Sequence, residues 1–182
     1  MNRIKKSIPV IIFIIGIVAL GLALFLFGEG RFGTKAVDDN SNIPEINIQD
    51  IDITTFDKTE EDICKENGKT VVYLFSTTWC PHCSWVKEAF DSLVKEYIDN
   101  GKIMAYHWEL DTNDNTLTKE EETVIPEEHI KILEKYNPDG YVPTFIFGCK
   151  YIRIGTGHEK DDGGLPLEKA EFKKIIEELI NS

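Results

Sequence analysis

The sequence predicts an α/β domain, one mixed sheet sandwiched between helices, preceded by a single N-terminal transmembrane helix. Three observations carry this. Thr70–Phe75 and Ile103–Trp108 are runs dominated by β-forming residues without polar alternation, as in strands buried on both faces. Apolar residues after each run recur at helical spacing. Ile8 to Phe27 is a stretch of twenty almost wholly apolar residues without a charge, which at about 1.5 Å per residue spans the roughly 30 Å of a bilayer core.

The 182 residues suit one domain and an appendage, not two ordinary domains. Averages of 42% apolar and 29% charged residues conceal two populations. Residues 36–182 carry 15 basic and 31 acidic residues, a formal charge of −16 against −12 for the whole chain. Such a surface repels nucleic acid and anionic headgroups, so no nucleic-acid partner is expected.

Residues 1–28 read as a short cytoplasmic stub and a membrane anchor. A cleavable signal peptide is the competing reading, but the apolar run is longer than about 7–15 residues and Phe25-Leu26-Phe27-Gly28-Glu29 is a poor cleavage site. Arg3, Lys5 and Lys6 ahead of the run favour a cytoplasmic N-terminus, which puts the acidic body on the extracytoplasmic side of the cell membrane. There, disulfides form and persist. Residues 29–50, with three glycines in 28–33, the run Asp38-Asp39-Asn40-Ser41-Asn42 and Pro44, read as a flexible tether. The folded domain is expected over 51–182.

Ile51-Asp52-Ile53 suggests a short first strand, and Thr55 or Asp57 a cap for a helix that Asn67-Gly68 ends. After the strand at 70–75, Val86, Ala89, Phe90, Leu93, Val94 and Tyr97 form a helical stripe closed by Asn100-Gly101. The strand at 103–108 is followed by a polar, acidic loop or insertion from Asp111 to Ile125. Pro126 opens a helix with Ile130, Leu133 and Tyr136 inward, ended by Asn137-Pro138-Asp139-Gly140. Val142–Phe147 and Tyr151–Ile154 form a hairpin across Gly148-Cys149-Lys150, and Leu167–Ile180 is an amphipathic last helix.

The chemistry centres on Trp79-Cys80-Pro81-His82-Cys83, where a strand hands over to a helix. A thiol at a helix start meets the positive end of the macrodipole and unpaired N–H groups, both of which favour the thiolate. Cys80 is therefore the expected nucleophile. Cys83 lies three residues on, on the same face and within disulfide reach, and is the resolving thiol. Pro81 suits the first helical position, and His82 can add positive charge near the Cys80 sulfur. A lone C-x-x-C is also half of a zinc site, but no second pair exists, so no metal is expected.

Taken together, Phe75-Ser76-Thr77-Thr78-Trp79-Cys80-Pro81-His82-Cys83 and Gly140-Tyr141-Val142-Pro143-Thr144-Phe145 resemble the thioredoxin superfamily over about residues 51–182. The resemblance implies a thioredoxin fold and a thiol–disulfide oxidoreductase without a cofactor, acting on protein or peptide thiols and disulfides with a redox partner. It implies that Pro143 is a cis-proline beside the cysteine pair, and that Val142 offers its backbone to an extended substrate. Trp79 would join them at the substrate surface. Pro81-His82 is similar to the dipeptide of bacterial periplasmic disulfide oxidases. Two departures stand out. Leu74 occupies the place of the buried Asp of thioredoxins, and the excess length before Pro143 falls in 107–126. The whole is similar to small membrane-tethered thioredoxin-like proteins of Gram-positive bacteria, including those accompanying bacteriocin export. In such a fold Cys149 comes near the end of the first helix, where Cys64 lies, and a structural disulfide between them is a candidate, the alternative being two separate buried thiols.

The direction of exchange stays open between an oxidase or isomerase, favoured by Leu74 and His82, and a reductase. A non-catalytic peptide-binding module of an export assembly is the alternative from another class. Asp111, Asn113, Asn115 and Glu122 have the spacing of a calcium loop, but Thr116 stands where Gly is required and a solvated acidic loop is the simpler reading.

Overall fold

The computed structural model describes residues 47–182. The apolar segment 8–27 and most of the expected tether lie outside them. Among the described residues no helix is long and apolar enough to cross a membrane.

The elements are β1 (Asp57–Lys58), β2 (Lys65–Glu66), β3 (Lys69–Ser76), α1 (Pro81–Asp99), β4 (Ile103–Glu109), β5 (Asp114–Asn115), α2 (Glu127–Tyr136), β6 (Thr144–Phe147), β7 (Tyr151–Ile154) and α3 (Gly164–Ile180). A 3-10 turn at Ile48–Asp50 precedes them, with Asn47 accepting from the Gln49 N–H. The strands form one mixed sheet in the order β1-β7-β6-β3-β4-β5, with β2 paired to the start of β3. Central β3 runs parallel to β4 and antiparallel to β6. Its residues from Thr70 to Ser76 are buried, which accounts for the missing polar alternation.

The pleat divides the core. Val72 and Leu74 face α1 and α3 and pack with Val86, Phe90, Leu93, Phe172 and Ile175. Val71, Tyr73 and Phe75 face the other way, toward α2, with Trp108 and Leu133. Phe90 and Phe172 meet edge to face at 5.9 Å in the first layer, and Phe56 reaches Phe147 at 5.4 Å. Helix α1 stops where Asn100-Gly101 predicted. Gly101 takes a left-handed φ of 67°, and the N–H groups of Gly101 and Lys102 bond the carbonyls of Ile98 and Tyr97.

The first part of the domain differs from the expectation. No strand forms at 51–53 and no helix between Thr55 and Asn67. The first strand is Asp57–Lys58, paired with β7, because the backbone of Thr54 and Thr55 is held by the Glu171 carboxylate instead of a ladder. Asn67 and Gly68 both have positive φ, 52° and 77°, and form the two-residue turn of a β2–β3 hairpin. Asn-Gly favours that turn because its backbone twist matches the strands it joins. The acidic insertion also contributes a strand, β5, against the end of β4, and α3 begins at Gly164, three residues before the expected start.

The hairpin gives Cys64 a fixed place. Its N–H donates to the Gly148 carbonyl at 2.9 Å, and a disulfide joins it to Cys149 with the Cα atoms 5.4 Å apart. Gly148, at φ 59°, allows the turn: a Cβ there would meet Leu179 and Thr70 at 3.1 Å. The bridge links residues 85 apart. Replacing both cysteines by Ala should lower stability by about 2–4 kcal/mol, measured by urea unfolding.

A buried ionic cluster ties β7 to α3 and to the segment before β1. Arg153 pairs with Glu168 and, at 3.5 Å, with Glu171, all three side chains being at most 5% exposed. Its guanidinium lies 4.3 Å from the Phe56 ring centroid. Glu168 accepts from the N–H groups of Gly157 and His158 at 3.0 and 2.9 Å. Burial pushes the Glu171 carboxyl up, but hydrogen bonds from Thr55 and Thr54 and the charge of Arg153 outweigh it and leave the pKa below its ordinary 4.5. A carboxylate held low contributes stability that is complete above its unfolded pKa and is lost as pH falls through the folded one. Urea unfolding of Glu171→Gln should therefore show a loss of about 3 kcal/mol at pH 7, narrowing toward pH 3.

Candidate functional site

Ser76 ends β3 and Pro81 begins α1, so four residues turn the chain. Thr78 anchors this turn: its N–H and hydroxyl donate to the Asp111 carboxylate at 3.0 and 2.5 Å. The Thr78 hydroxyl holds Asp111 below the usual carboxylate range. Trp79 is left 73% exposed. Cys80 is the N-cap of α1, with extended φ and ψ of −80° and 117°, and Pro81 is at the first helical position.

Cys80 and Cys83 are joined, with Cα atoms 5.2 Å apart. Accessibility does not distinguish them, since they are 4% and 3% exposed. Hydrogen bonding does: the Cys83 N–H donates to the Cys80 sulfur at 3.1 Å. On reduction that donor and the helix dipole both favour negative charge on Cys80.

The Val142–Pro143 peptide is cis, and the Val142 carbonyl oxygen lies 3.8 Å from the Cys80 sulfur. Buried Asn137 shapes the turn before it, donating to the Tyr141 carbonyl and to Thr144 Oγ1 at 2.7 and 2.8 Å. Pro143 accepts from the Gly155 N–H at 2.7 Å, bringing the loop after β7 alongside. A groove of about 440 Å³ opens here, lined by His82, Val142, Pro143, Thr156 and Glu159 among others. Across it His82 Nδ1 meets Glu159 Oε2 at 2.6 Å, and the Thr156 hydroxyl donates to the same carboxylate at 2.7 Å. Those two partners, Thr156 first, hold the Glu159 carboxyl below its ordinary value.

A thioredoxin family model matches residues 46–145, which take in β1 to the start of β6 and the Cys80–Cys83 pair. The chain belongs to the thioredoxin family. Searches of curated proteins and of solved structures return no match. Membership in the thioredoxin family supports a thiol–disulfide oxidoreductase, and the site has the parts that such exchange requires: a sulfur that accepts a backbone hydrogen bond, a second sulfur in reach, and a groove beside a cis-proline.

The structure brings Cys80, Pro81, His82, Cys83, Val142 and Pro143 together, with Trp79 at the margin. Leu74, where thioredoxins have a buried Asp, is wholly buried among apolar side chains. Opposite it in β4 is His107, also fully buried, bonded to Ser76 at 2.8 Å and Asp91 at 2.7 Å. The calcium-loop spacing does not assemble a site. Asp111 is taken by Thr78, Asn115 by the His107 N–H, and Glu122 by the Asn115 N–H and Thr118. Among the described residues no group of three or more potential metal ligands occurs.

Sequence reasoning missed Glu159 and Thr156 in the loop after β7, the clamp of Arg153 and Glu168 that holds the groove wall, and the anchoring of Thr78 by Asp111, a residue it had singled out only for calcium-loop spacing. A signal for the clamp was present: one arginine inside an apolar hairpin strand, and two glutamates three apart on the apolar face of the last helix. Without the His82 ring the Glu159 carboxylate loses a hydrogen-bond partner beside the cysteine pair, and its negative charge should make the disulfide less oxidising. His82→Gln should lower the reduction potential by about 30 mV or more, equivalent to about 1.4 kcal/mol, as measured by equilibration with glutathione.

Proposed function

We propose that the protein is an extracytoplasmic thiol–disulfide oxidoreductase, anchored by its N-terminal segment, that oxidises or isomerises disulfides of secreted or membrane proteins. The observation that carries this reading is the Cys80–Cys83 pair at the start of α1, with the Cys83 N–H on the Cys80 sulfur and the cis-Pro143 groove beside it. In oxidation, a substrate thiolate attacks the Cys80 sulfur and Cys83 leaves as a thiolate. A second substrate thiol, deprotonated, attacks the substrate sulfur of the mixed disulfide and releases Cys80 as a thiolate. The substrate has lost two electrons to the pair, and an electron-accepting redox partner restores the disulfide. Stabilising the Cys80 thiolate favours its departure and the reduced enzyme, which is what an oxidant needs.

Substrate strands enter along Val142 and Pro143, with Trp79 exposed at the rim. Leu74 supports the oxidative direction, because no carboxylate from that position accepts a proton from Cys83. The pairing of all four cysteines supports an oxidising compartment, as does the uncharged run ahead of the tether. The reading extends to the resemblance of the chain to small membrane-tethered thioredoxin-like proteins of Gram-positive bacteria.

Equilibrating the full-length protein with glutathione tests direction. A potential above about −200 mV is expected. A value near about −270 mV would make the protein a reductase, and one below about −300 mV would make the pair a structural staple. Cys83→Ser should accumulate mixed disulfides with substrate, and Cys80→Ser should abolish them on non-reducing gels.

A further inference from the structure

A cavity of about 710 Å³ lies away from the Cys80–Cys83 pair, on the sheet face that α2 covers. The opposite face has helices of 19 and 17 residues over it, whereas α2 has ten. A groove remains beside α2. Its floor is a row of stacked rings, Tyr73 to Tyr106 at 5.6 Å and Tyr106 to Trp108 at 6.1 Å. At its lip Val124 is 75% exposed.

Two polar features define what it takes. Trp108 Nε1–H donates to His129 Nδ1 at 3.0 Å. An indole nitrogen can only donate, so Nδ1 accepts and the proton of the neutral ring is on Nε2. Burial, which lowers the His129 pKa, agrees with the neutral form. His129 is only 6% exposed and lines the groove, and its Nε2–H has no hydrogen-bond acceptor among the described residues. The groove therefore offers one N–H, within reach of solvent, that is free to donate to a carbonyl. Around it stand Glu66, Glu122 and Glu128 against Lys65 alone. Glu66 accepts from the Tyr106 hydroxyl and Glu122 from Thr118, and each carboxylate keeps lone pairs for a further donor.

We propose that this groove is a second docking site, for an extended partner segment bearing lysine or arginine. A main-chain carbonyl of that segment accepts from His129 Nε2–H, its basic side chains meet the glutamates, and their aliphatic stems lie over the tyrosine and tryptophan rings. The site needs neither cysteine, so it adds a partner-recognition surface to the exchange chemistry and is separable from it.

The test titrates the full-length protein with acetyl-Ala-Lys-Ala-Arg-Ala-amide in 150 mM salt, followed by calorimetry, with the Glu-for-Lys and Glu-for-Arg peptide as comparison. Saturable binding of the basic peptide alone is expected. Glu66→Gln/Glu128→Gln should weaken it at least fivefold, while Glu88→Gln/Glu134→Gln, equal in charge change and placed elsewhere, should leave it within twofold. Val124→Lys should also weaken it, and none of these variants should change the exchange rate with a small disulfide. Equal weakening by the two double variants would reduce the effect to general attraction by an acidic surface and overturn the proposal. So would absence of saturable binding, or equal affinity for the acidic peptide.

Discussion

The hydrogen bond from the Cys83 N–H to the Cys80 sulfur depends on β3 ending and α1 beginning within four residues. If the strand ran on, Cys80 would lie in a ladder. If the helix began earlier, its sulfur would lie alongside helical backbone whose N–H groups are already paired. At the cap, the sulfur occupies the place that a serine or aspartate oxygen fills in an ordinary helix. The donors are there in any case, because the first turn of every helix leaves N–H groups without partners. Pro81 suits this arrangement, since the N–H it lacks has no intrahelical partner there.

The opposite wall of the site is held by a different force. Glycines and polar side chains make up much of the loop after β7, which has little apolar surface of its own to bury. It is kept against Pro143 by one backbone hydrogen bond and by Glu168, which accepts two of its N–H groups from inside the core. A carboxylate in that position is tolerable because Arg153 balances it, and the arginine is tolerable because three phenylalanine rings and two glutamates surround it. Loss of one charge leaves the others buried without compensation, so the cluster acts as a unit. Glu159 reaches His82 only because this loop is held, which links the ionic cluster in the core to the charge near the reactive sulfur.

Burial on the two sheet faces follows from helix length. The α1 and α3 side is closed by the phenylalanine cluster. The α2 side ends in aromatic rings with incomplete cover and a ring of glutamates. The absence of a helix between Thr55 and Asn67 contributes to this asymmetry: that segment became the edge strand β1 and one arm of the β2–β3 hairpin, tied down by the Cys64–Cys149 bridge, instead of a layer on top of the sheet.

Elements with strong periodic or compositional signals were legible from the chain alone. The runs of β3 and β4, the stripe of α1 with its Asn100-Gly101 stop, and the cysteine pair at a strand-to-helix junction all follow from local residue chemistry. Asn67-Gly68 was ambiguous locally, since the same dipeptide ends a helix or turns a hairpin, and only pairing of Lys65 with Thr70 decided it. The placement of Cys64 beside Cys149, the closing of Glu159 on His82, and the burial of Arg153 with Glu168 and Glu171 are contacts between segments far apart in sequence. No local propensity encodes such contacts. The sequence by itself determined which sulfur is activated, because a helix start does that with its own backbone. Tertiary structure decided what surrounds that sulfur and what the other sheet face offers, because both depend on which distant side chains the folded sheet brings within reach.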